Sequence, residues 1–334
     1  MRAVVIHEHG GVDVLNVEDV PTPEPGPGEV RIRVGAVSVN SFLDVSNRAG
    51  RVPYANYSFP HILGVEHTGV IDALGDDCPD WMKEGARVVV QAAYPRADGT
   101  IGLIGVHRAG SAAEYSVVPT TAVRPLPDSV SFVDGAALAL NGPLAVRQLE
   151  YAGFEPGEWV LVQAAASASG TMMIQVLLHL GGRIVATSRD ASKRQALTSL
   201  GVEHALDSSS ASFVDEVREI TGQGADLSVD NIGAGDLWRT SIAALRDGGR
   251  LVTSGARFGD EVPLNLRDLY TRNLSVLGVR TYNPQAADRL WELVQEGLRP
   301  VIAATFSLDD VRSAHAMIEN QENVGRVVLS VWDE

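Results

Sequence analysis

The chain has 334 residues, of which 45% are hydrophobic and 21% charged, and its formal net charge at pH 7 is −15. This length allows two domains, and the acidic balance argues against nucleic acid or an anionic membrane as a partner, because both require a basic surface. The single cysteine, Cys78, excludes an internal disulfide and a cysteine-rich zinc site. We find neither a long apolar span nor a signal peptide, so the expected location is the cytoplasm.

The first part of the chain predicts a partly open β-barrel. Short apolar strands are separated by turns rich in glycine and proline, with no long helix between them, so parallel crossover units are excluded. The predicted strands are 3–6, 14–17, 30–34, 61–69 and 86–90, with a turn and a short helix over 37–50. We expect this barrel to be interrupted and then completed by the end of the chain.

From residue 125 onward, strands alternate with helices of about ten residues, which is typical of a doubly wound parallel sheet. The predicted strands are 159–162, 184–187, 204–207, 227–230, 250–253 and 274–280, and the predicted helices are 136–151, 172–180, 191–200, 213–221 and 236–245. A helix at 286–296, a strand at 303–306, a helix at 308–319 and a strand at 326–331 complete the first domain. The predicted divisions are therefore 1–124, 125–281 and 282–334.

A run of small residues links the strand at 159–162 to the helix that follows it. A pyrophosphate binds where backbone N–H groups at a helix N-terminus are not covered by side chains. Only Gly170 stands at a glycine position of the pattern G-x-G-x-x-G, although serine and alanine also allow close approach. The predicted cofactor-binding residues here are Ala165, Ala166, Ser167, Ala168, Ser169 and Gly170. The alternative is a strand packed on a helix that is merely rich in small residues.

Further turns at the carboxyl ends of the strands are expected to line the same crevice, because a parallel sheet brings these ends together. They contain Ser188, Asn231, Ile232, Gly233, Ser254 and Gly255.

The order and spacing of several motifs resemble the medium-chain dehydrogenase/reductase superfamily, in its zinc-free quinone oxidoreductase (zeta-crystallin-like) branch. The matching segments include MRAVVIHEHGG, VPTPEPGPGEVRIRV, FPHILGVEHTGVI, GSAAEYSVVP, FEPGEWVLVQAAASASG, LRDGGRLVTSG and SAHAMIENQENVGRVVLSV. The resemblance implies a GroES-like catalytic domain, a Rossmann domain and a nicotinamide cofactor. It also implies a homodimer joined through the strand at 274–280.

The residue types predict that no metal is bound. Zinc-dependent relatives hold the metal with a cysteine and a histidine. By the resemblance, the residues at these two positions here are Ser41 and Val65, whose side chains cannot replace thiolate and imidazole as zinc ligands. His67 is displaced by two residues, and we interpret it as structural.

The turn after the second strand of the sheet favours NADPH. Ser188, Arg189 and Lys193 would hold a 2′-phosphate that a carboxylate would repel. The alternatives are that Arg189 and Lys193 are solvated and Asp190 is only a helix N-cap, or that Asp190 binds the ribose diol of NAD.

The resemblance implies catalytic residues in the segment VSVNSFLDVSNRAG. Asn40 or Ser41 would hydrogen-bond the nicotinamide carboxamide or the substrate carbonyl. Asp44 is a further catalytic candidate, although a structural pair with Arg48 is expected. Tyr54 and Tyr57 either gate the substrate, donate a proton or simply pack. The further residues that the resemblance implies as cofactor contacts are Leu144, at the family's threonine position, and Arg326, whereas His107 is interpreted as a solvated loop residue.

The sequence as a whole predicts an NADPH-dependent reductase that transfers hydride to a quinone or to an α,β-unsaturated carbonyl compound. Catalysis would depend on positioning and on hydrogen bonds to the carbonyl oxygen. One alternative is a zinc-free ketone or alcohol oxidoreductase. The other is a non-catalytic NADPH-binding protein with a sensory or structural role.

Overall fold

A computed structural model describes residues 1–280 and 284–332. They form two compact units, one made of Met1–Leu140 with the segment from Ile302 onward, the other of Asn141–Val301. The strands are β1 Arg2–Ile6, β2 Asn16–Asp19, β3 Glu29–Val39, β4 His61–Ile62, β5 Glu66–Leu74, β6 Arg87–Val90, β7 Ala93–Pro95, β8 Ile101–Leu103, β9 Tyr115–Pro119, β10 Val123–Pro125, β11 Trp159–Val162, β12 Arg183–Thr187, β13 His204–Leu206, β14 Ala225–Val229, β15 Leu245–Thr253, β16 Ser275–Gly278, β17 Ile302–Ser307 and β18 Arg326–Ser330. The α-helices are α1 Phe132–Leu138, α2 Asn141–Ala152, α3 Ala168–His179, α4 Ala191–Ser199, α5 Phe213–Thr221, α6 Gly235–Ala243, α7 Leu266–Thr271, α8 Pro284–Gln295 and α9 Val311–Glu319.

The first unit is built around strand β3, which pairs antiparallel with β5, β9 and β18. The first half of β3 has the alternating pattern of a strand with one buried face: Val30, Ile32 and Val34 are buried, and Arg33 between them is exposed. The strand order in this sheet is β10-β6-β5-β3-β18-β17, with β9 added to β3, and β2-β1-β4 and β7-β8 form smaller sheets. The return of β17 and β18 to this sheet explains why the end of the chain belongs to the first unit.

The second unit contains a six-stranded sheet in the order β13-β12-β11-β14-β15-β16, and each neighbouring pair is parallel. The strand order, counted along this unit, is 3-2-1-4-5-6, as in the Rossmann fold. Val160 and Leu161 of the central strand β11 are fully buried, as expected for a parallel sheet covered on both faces. The predicted fold class, a GroES-like barrel with a doubly wound parallel sheet, is confirmed.

The divisions between the units lie further along the chain than the sequence predicts, after residues 140 and 301 rather than after 124 and 281. Helix α1 packs on β3 and β5 of the barrel, where the Thr68 hydroxyl donates a hydrogen bond to the Phe132 carbonyl over 2.7 Å. Helices α8 and α2 both belong to the second unit and pack on each other, with Leu290 against Gly142. Each helix therefore belongs to the unit whose apolar surface it covers.

The helix predicted over 136–151 is in fact two helices, α1 and α2, separated by Ala139 and Leu140. Pro143 has no N–H to donate to a carbonyl one turn earlier. The amide of Leu140 donates instead to Oε2 of Glu66, over 3.0 Å. A tertiary hydrogen bond therefore replaces a helical one at this break.

The segment after β3 is a π-helix, Ser41–Ser46, rather than a simple turn. Its first turn is wider than an α-helical turn, since the amides of Asp44 and Val45 both donate to the carbonyl of Asn40, over 3.0 and 3.1 Å. Among the described residues, no helix is long and apolar enough to cross a membrane.

Candidate functional site

The small-residue turn between β11 and α3 leaves main chain uncovered at the helix N-terminus. Ser167 is the N-cap, and its hydroxyl accepts a hydrogen bond from the amide of Gly170 over 3.1 Å. The amides of Ala168 and Ser169 in the first helical turn have no carbonyl acceptor four residues earlier within the helix. These donors, together with the helix dipole, suit a phosphate group.

Gly170 has no room for a side chain. A Cβ atom there would lie 2.6 Å from the carbonyl oxygens of Ala164 and Ala165 and from the Cα atom of Ala165. Ala164 itself has a positive φ of 47°, and its amide donates to the Thr187 hydroxyl over 3.2 Å. The turn is therefore pulled tightly against both the helix and strand β12.

The turns after β14 and β15 are tied together by Asn231. Its Oδ1 atom accepts from the amide of Ser254 and from Nε2 of Gln148, both over 2.8 Å. Gly233 has a positive φ of 68°, and a Cβ on Gly255 would lie 2.7 Å from the Asn231 carbonyl oxygen. The hydroxyl of Ser254 is buried and has no protein partner among the described residues. A polar ligand group would satisfy this hydroxyl.

The turn after β12 is held by Arg194, whose Nη1 donates to the carbonyls of Ser188 and Arg189 over 2.8 and 2.9 Å. Asp190 is the N-cap of α4, where its carboxylate accepts from the amides of Ser192 and Lys193. The Ser192 hydroxyl also donates to this carboxylate, over 2.6 Å, and lowers the pKa of Asp190 most, and the two amides lower it further. The carboxylate is therefore engaged by the helix, and the exposed Arg189 lies at the end of the strand.

In the first unit, a fully buried carboxylate, Glu66, organises the predicted catalytic segment. Its Oε1 accepts from the Asn40 side chain over 3.1 Å, and its Oε2 lies 2.6 Å from Nη2 of Arg326. Both Glu66 and Arg326 are almost completely buried. Arg326 was predicted as a cofactor contact, and the structure places its guanidinium in this ion pair.

Asn40 caps the π-helix, because its Oδ1 accepts from the amides of Phe42 and Leu43 over 3.0 and 2.9 Å. One hydrogen of its amide group is donated to Glu66. The second amide hydrogen has no acceptor within residues 1–280 and 284–332. Ser41 is the first residue of the π-helix and is partly exposed.

Asp44 is buried, and its carboxylate accepts from the backbone amides of Asn40, over 2.7 Å, and Gly64, over 3.0 Å. The pKa of Asp44 is raised from 3.8 to about 7, mainly by burial and to a smaller extent by the charge of Glu66, against the lowering effect of these two amides and of Arg326. The carboxylate links the start of the π-helix to the loop before β5.

The expected pair between Asp44 and Arg48 does not form. The buried Arg48 instead donates to Glu319 over 2.5 Å and to Nδ1 of His315 over 3.2 Å. The prediction used the four-residue spacing of an α-helix, whereas the segment begins with the wider turn of a π-helix. Arg48 therefore anchors the end of this segment to α9.

The two candidate tyrosines have different environments. The Tyr57 hydroxyl donates to Oδ1 of Asn47 over 3.1 Å, which favours a packing role. Tyr54 is 47% exposed, and its ring stacks on His107. His107, interpreted from the sequence as a solvated loop residue, is instead partly buried, and its Nδ1 accepts from the amide of Leu103 over 3.0 Å.

Val65, the residue that the family resemblance aligns with the zinc-binding histidine of relatives, is fully buried in an apolar cluster. His67 is also fully buried, and burial lowers its pKa to about 3. Across the described part of the chain, no three or more histidine, cysteine, aspartate or glutamate side chains are grouped to hold a metal ion. Leu144, the remaining predicted cofactor contact, lies in α2 and is largely buried.

Two residues at these sites were missed by the sequence analysis: the organising carboxylate Glu66, and Gln148, which fixes Asn231. A charged residue inside an apolar strand is a signal that could have identified Glu66. Gln148 lies on the apolar face of α2, one turn after Leu144, which is also unusual for a polar side chain.

A Rossmann sheet whose first turn suits a phosphate group, in one chain with a GroES-like barrel, is typical of a class of nicotinamide-dependent oxidoreductases. The family model described as "Alcohol dehydrogenase GroES-like domain" matches residues 26–128, and the model described as "Zinc-binding dehydrogenase" matches residues 168–296. The chain belongs to the medium-chain dehydrogenase/reductase superfamily, as predicted from the sequence.

Relatives cover almost the whole chain. A quinone oxidoreductase of Salmonella typhimurium is 30% identical over 98% of each chain, and a 2-haloacrylate reductase of Burkholderia sp. is 29% identical over 98% of each chain. Among solved structures, an NAD-dependent alcohol dehydrogenase is 34% identical with a TM-score of 0.90, covering 99% of this chain and 100% of that one. The mycobacterial protein Rv1454c complexed with NADPH is 28% identical with a TM-score of 0.84, over the same shares.

These similarities are consistent with the geometry. The chain is an oxidoreductase of the medium-chain type, a superfamily that binds nicotinamide cofactors, and its relatives act on small molecules.

Proposed function

We propose that this protein is a zinc-independent reductase that uses NADPH to reduce a quinone or an α,β-unsaturated carbonyl compound. The single observation that carries the proposal is the apolar environment of Val65. Its neighbours in the cluster are Leu43, Val52, Ala92, Val106 and Leu140. None of these side chains can serve as a metal ligand at this position, so the proposal favours substrates that need no Lewis acid. A conjugated acceptor is such a substrate, because it spreads the negative charge that develops during hydride transfer.

The cofactor assignment is supported by the fit of the turns in the second unit. The uncovered amides of α3 and the unpartnered hydroxyl of Ser254 match the polar groups of a dinucleotide. When bound, the reduced nicotinamide supplies a hydride. Addition of that hydride and one proton to an enone gives the saturated carbonyl, and the same hydride with one proton converts a quinone to a hydroquinone.

The role of the first unit is to bind and orient the substrate carbonyl. The free N–H of Asn40 is held by the capping bonds of its own Oδ1 and by the bond to Glu66, so its direction is fixed. A fixed donor stabilises a developing oxyanion without reorganising. Because Asp44 is buried and bonded to the backbone, we assign it to support this segment and not to contact the substrate.

NADPH preference is tested by changing Arg189 and Asp190 separately. Arg189→Ala should lower the catalytic efficiency with NADPH about tenfold to a hundredfold, because charge-assisted hydrogen bonds contribute about 1.5–3 kcal/mol. The efficiency with NADH should not change. Asp190→Asn is the control, because asparagine also caps helices. A loss of NADH activity in this variant would assign Asp190 to the ribose diol and contradict the proposal.

The substrate class is tested by following NADPH oxidation with a quinone, an enone and a saturated ketone. Turnover of the quinone or enone, without added zinc and after dialysis against a chelator, is the expected result. Turnover of the ketone alone would favour the alternative of a zinc-free alcohol or ketone oxidoreductase, for which the similarity to an NAD-dependent alcohol dehydrogenase is the supporting observation. Binding of NADPH without any turnover would favour a sensor.

We also propose that the protein is a homodimer joined through β16. This strand lies at the edge of the parallel sheet and pairs with β15 on its other side. The nearby apolar side chains of Leu264, Leu266, Tyr270 and Val276 are exposed. Edge strands with exposed apolar residues commonly pair with a second chain. In analytical ultracentrifugation, the wild type should sediment as a dimer and Val276→Arg as a monomer.

A further inference from the structure

The first unit contains two stacked tyrosine–histidine pairs, which differ in how their polar atoms are bonded. In the first pair, the rings of Tyr57 and His61 are 3.6 Å apart and nearly parallel. The Tyr57 hydroxyl donates to Asn47, and Nε2 of His61 donates to the carbonyl of Gly105 over 2.9 Å. Because these polar atoms are bonded within the protein, this pair is structural.

In the second pair, the rings of Tyr54 and His107 lie 6.4 Å apart at an interplanar angle of 13°. Nδ1 of His107 accepts a hydrogen bond from the amide of Leu103, so the proton of the neutral imidazole is on Nε2. Burial lowers the pKa of His107, with a smaller effect from Arg96, which favours this neutral form. The Nε2–H group and the Tyr54 hydroxyl have no partner in the described portion of the protein.

This second pair lies beside an apolar surface that continues toward the predicted catalytic segment. The ring of Phe42 is 6.4 Å from the ring of Tyr54, and Phe42 follows Asn40 by two residues. Phe42 and Leu103 both pack against the apolar cluster that contains Val65. Two hydrogen-bond donors with fixed rings therefore adjoin a partly exposed aromatic surface.

We propose that Tyr54 and His107 bind the second carbonyl oxygen of a flat, ring-shaped conjugated substrate whose first carbonyl is bound by Asn40, with the ring of that substrate against Phe42. The inference rests on the proposed function and narrows it to cyclic quinones over small acyclic enones. A planar ring gains from stacking on an aromatic side chain, whereas a short acyclic enone offers little area for this contact. The two donors hydrogen-bond this second oxygen, which a small acyclic enone such as methyl vinyl ketone does not have.

The experiment compares two substitutions of His107 that differ in which nitrogen they mimic. His107→Asn keeps an acceptor for the Leu103 amide but removes the distant donor, whereas His107→Gln keeps a donor near the position of Nε2. Both lose the imidazole ring, so lost stacking affects them equally. Tyr54→Phe removes only the hydroxyl, and Tyr57→Phe is the matched control in the structural pair.

The probes are 1,4-naphthoquinone and methyl vinyl ketone, with NADPH as the reductant. We expect His107→Asn and Tyr54→Phe to raise the KM for naphthoquinone about fivefold, the effect of one lost hydrogen bond. The KM for methyl vinyl ketone and the Kd for NADPH should remain within about twofold. His107→Gln should restore much of the loss, and Tyr57→Phe should not change the ratio of the two KM values.

Unchanged selectivity in both His107→Asn and Tyr54→Phe would overturn the inference. So would equal KM values for naphthoquinone in His107→Asn and His107→Gln. If the wild-type protein reduces neither probe, the proposed function fails, and the inference is then decided by equilibrium dialysis of naphthoquinone with the same variants. Weaker binding to His107→Asn than to His107→Gln would support the donor pair, and equal binding would refute it.

Discussion

The two units present their candidate sites in opposite ways. In the second unit the site consists of main-chain groups, and the important property of Gly170 is that it has no side chain. In the first unit the site consists of side chains, and its centre is a buried ion pair between Glu66 and Arg326 with Asn40 bonded to it. The site in the second unit therefore depends on the absence of side-chain volume, and the site in the first unit depends on paired buried charges.

This difference determines which substitutions each site should tolerate. A site made of backbone amides is sensitive to added volume, because a displaced amide no longer points at its ligand. A site made of buried charges is sensitive to the loss of either partner, because the remaining charge is left without compensation. The comparison therefore predicts a loss of ligand affinity in one unit and a loss of folding stability in the other.

The largest effect on ligand affinity is expected for Gly170→Ala. The new Cβ would lie 2.6 Å from three backbone atoms, so the turn must move. Displacing one amide from a charged phosphate should raise the Kd for NADPH about tenfold or more, measured by fluorescence titration. Gly235→Ala is the matched control, because a Cβ there meets no atom within 4 Å. Equal affinities in the two variants would contradict a site built from close-packed backbone.

The largest effect on stability is expected for Arg326→Met, which leaves Glu66 as an unpaired buried carboxylate. Breaking such a pair should lower the free energy of unfolding by about 3–5 kcal/mol, measured by urea denaturation. Arg289→Met is the control, because its ion pair with Glu292 is exposed and should contribute about 0–1 kcal/mol. A similar small loss in both variants would show that the charge of Glu66 is compensated by Asn40 and the amide of Leu140 alone.

The sequence predicts the second unit better than the first because its signals are local. The bounds of β11 and α5 are as predicted, since apolar periodicity and small residues act within a few positions. The turn ending at Gly170 is likewise recognisable from the size of neighbouring side chains. The break between α1 and α2 is not recognisable, because the amide of Leu140 is bonded to Glu66, far away in the chain.

The first unit shows what spacing alone cannot provide. A four-residue interval between Asp44 and Arg48 indicates an ion pair only if the segment is an α-helix, and here it begins as a π-helix. Histidine has a similar ambiguity: His107 differs from His61 in what surrounds its Nε2 atom, which the sequence does not contain. The roles of these side chains depend on partners brought together by the barrel.

A more gradual effect concerns the pH dependence of stability, and it distinguishes the buried charges from the exposed ones. The pKa of Asp44 is raised from 3.8 to about 7 by burial, so between these values the folded protein holds a proton that the unfolded chain releases. The free energy of unfolding from this group must therefore fall as pH rises from 4 to 7, by at most about 1.4 kcal/mol per pH unit. We expect the stability difference between the wild type and Asp44→Asn to show this slope in urea denaturation.

Asp98 supplies a control of opposite sign. It is exposed, and bonds from the hydroxyl and amide of Thr100 lower its pKa. A carboxyl group whose pKa is lowered by folding stabilises the protein at pH values above its pKa in the unfolded chain, and this stabilisation is lost as pH falls. The stability difference between the wild type and Asp98→Asn should therefore rise weakly with pH, opposite to the slope for Asp44. If the stability difference between the wild type and Asp44→Asn does not change with pH, the two amides bonded to the Asp44 carboxylate offset the effect of its burial. Asp44 would then be ionised throughout this pH range.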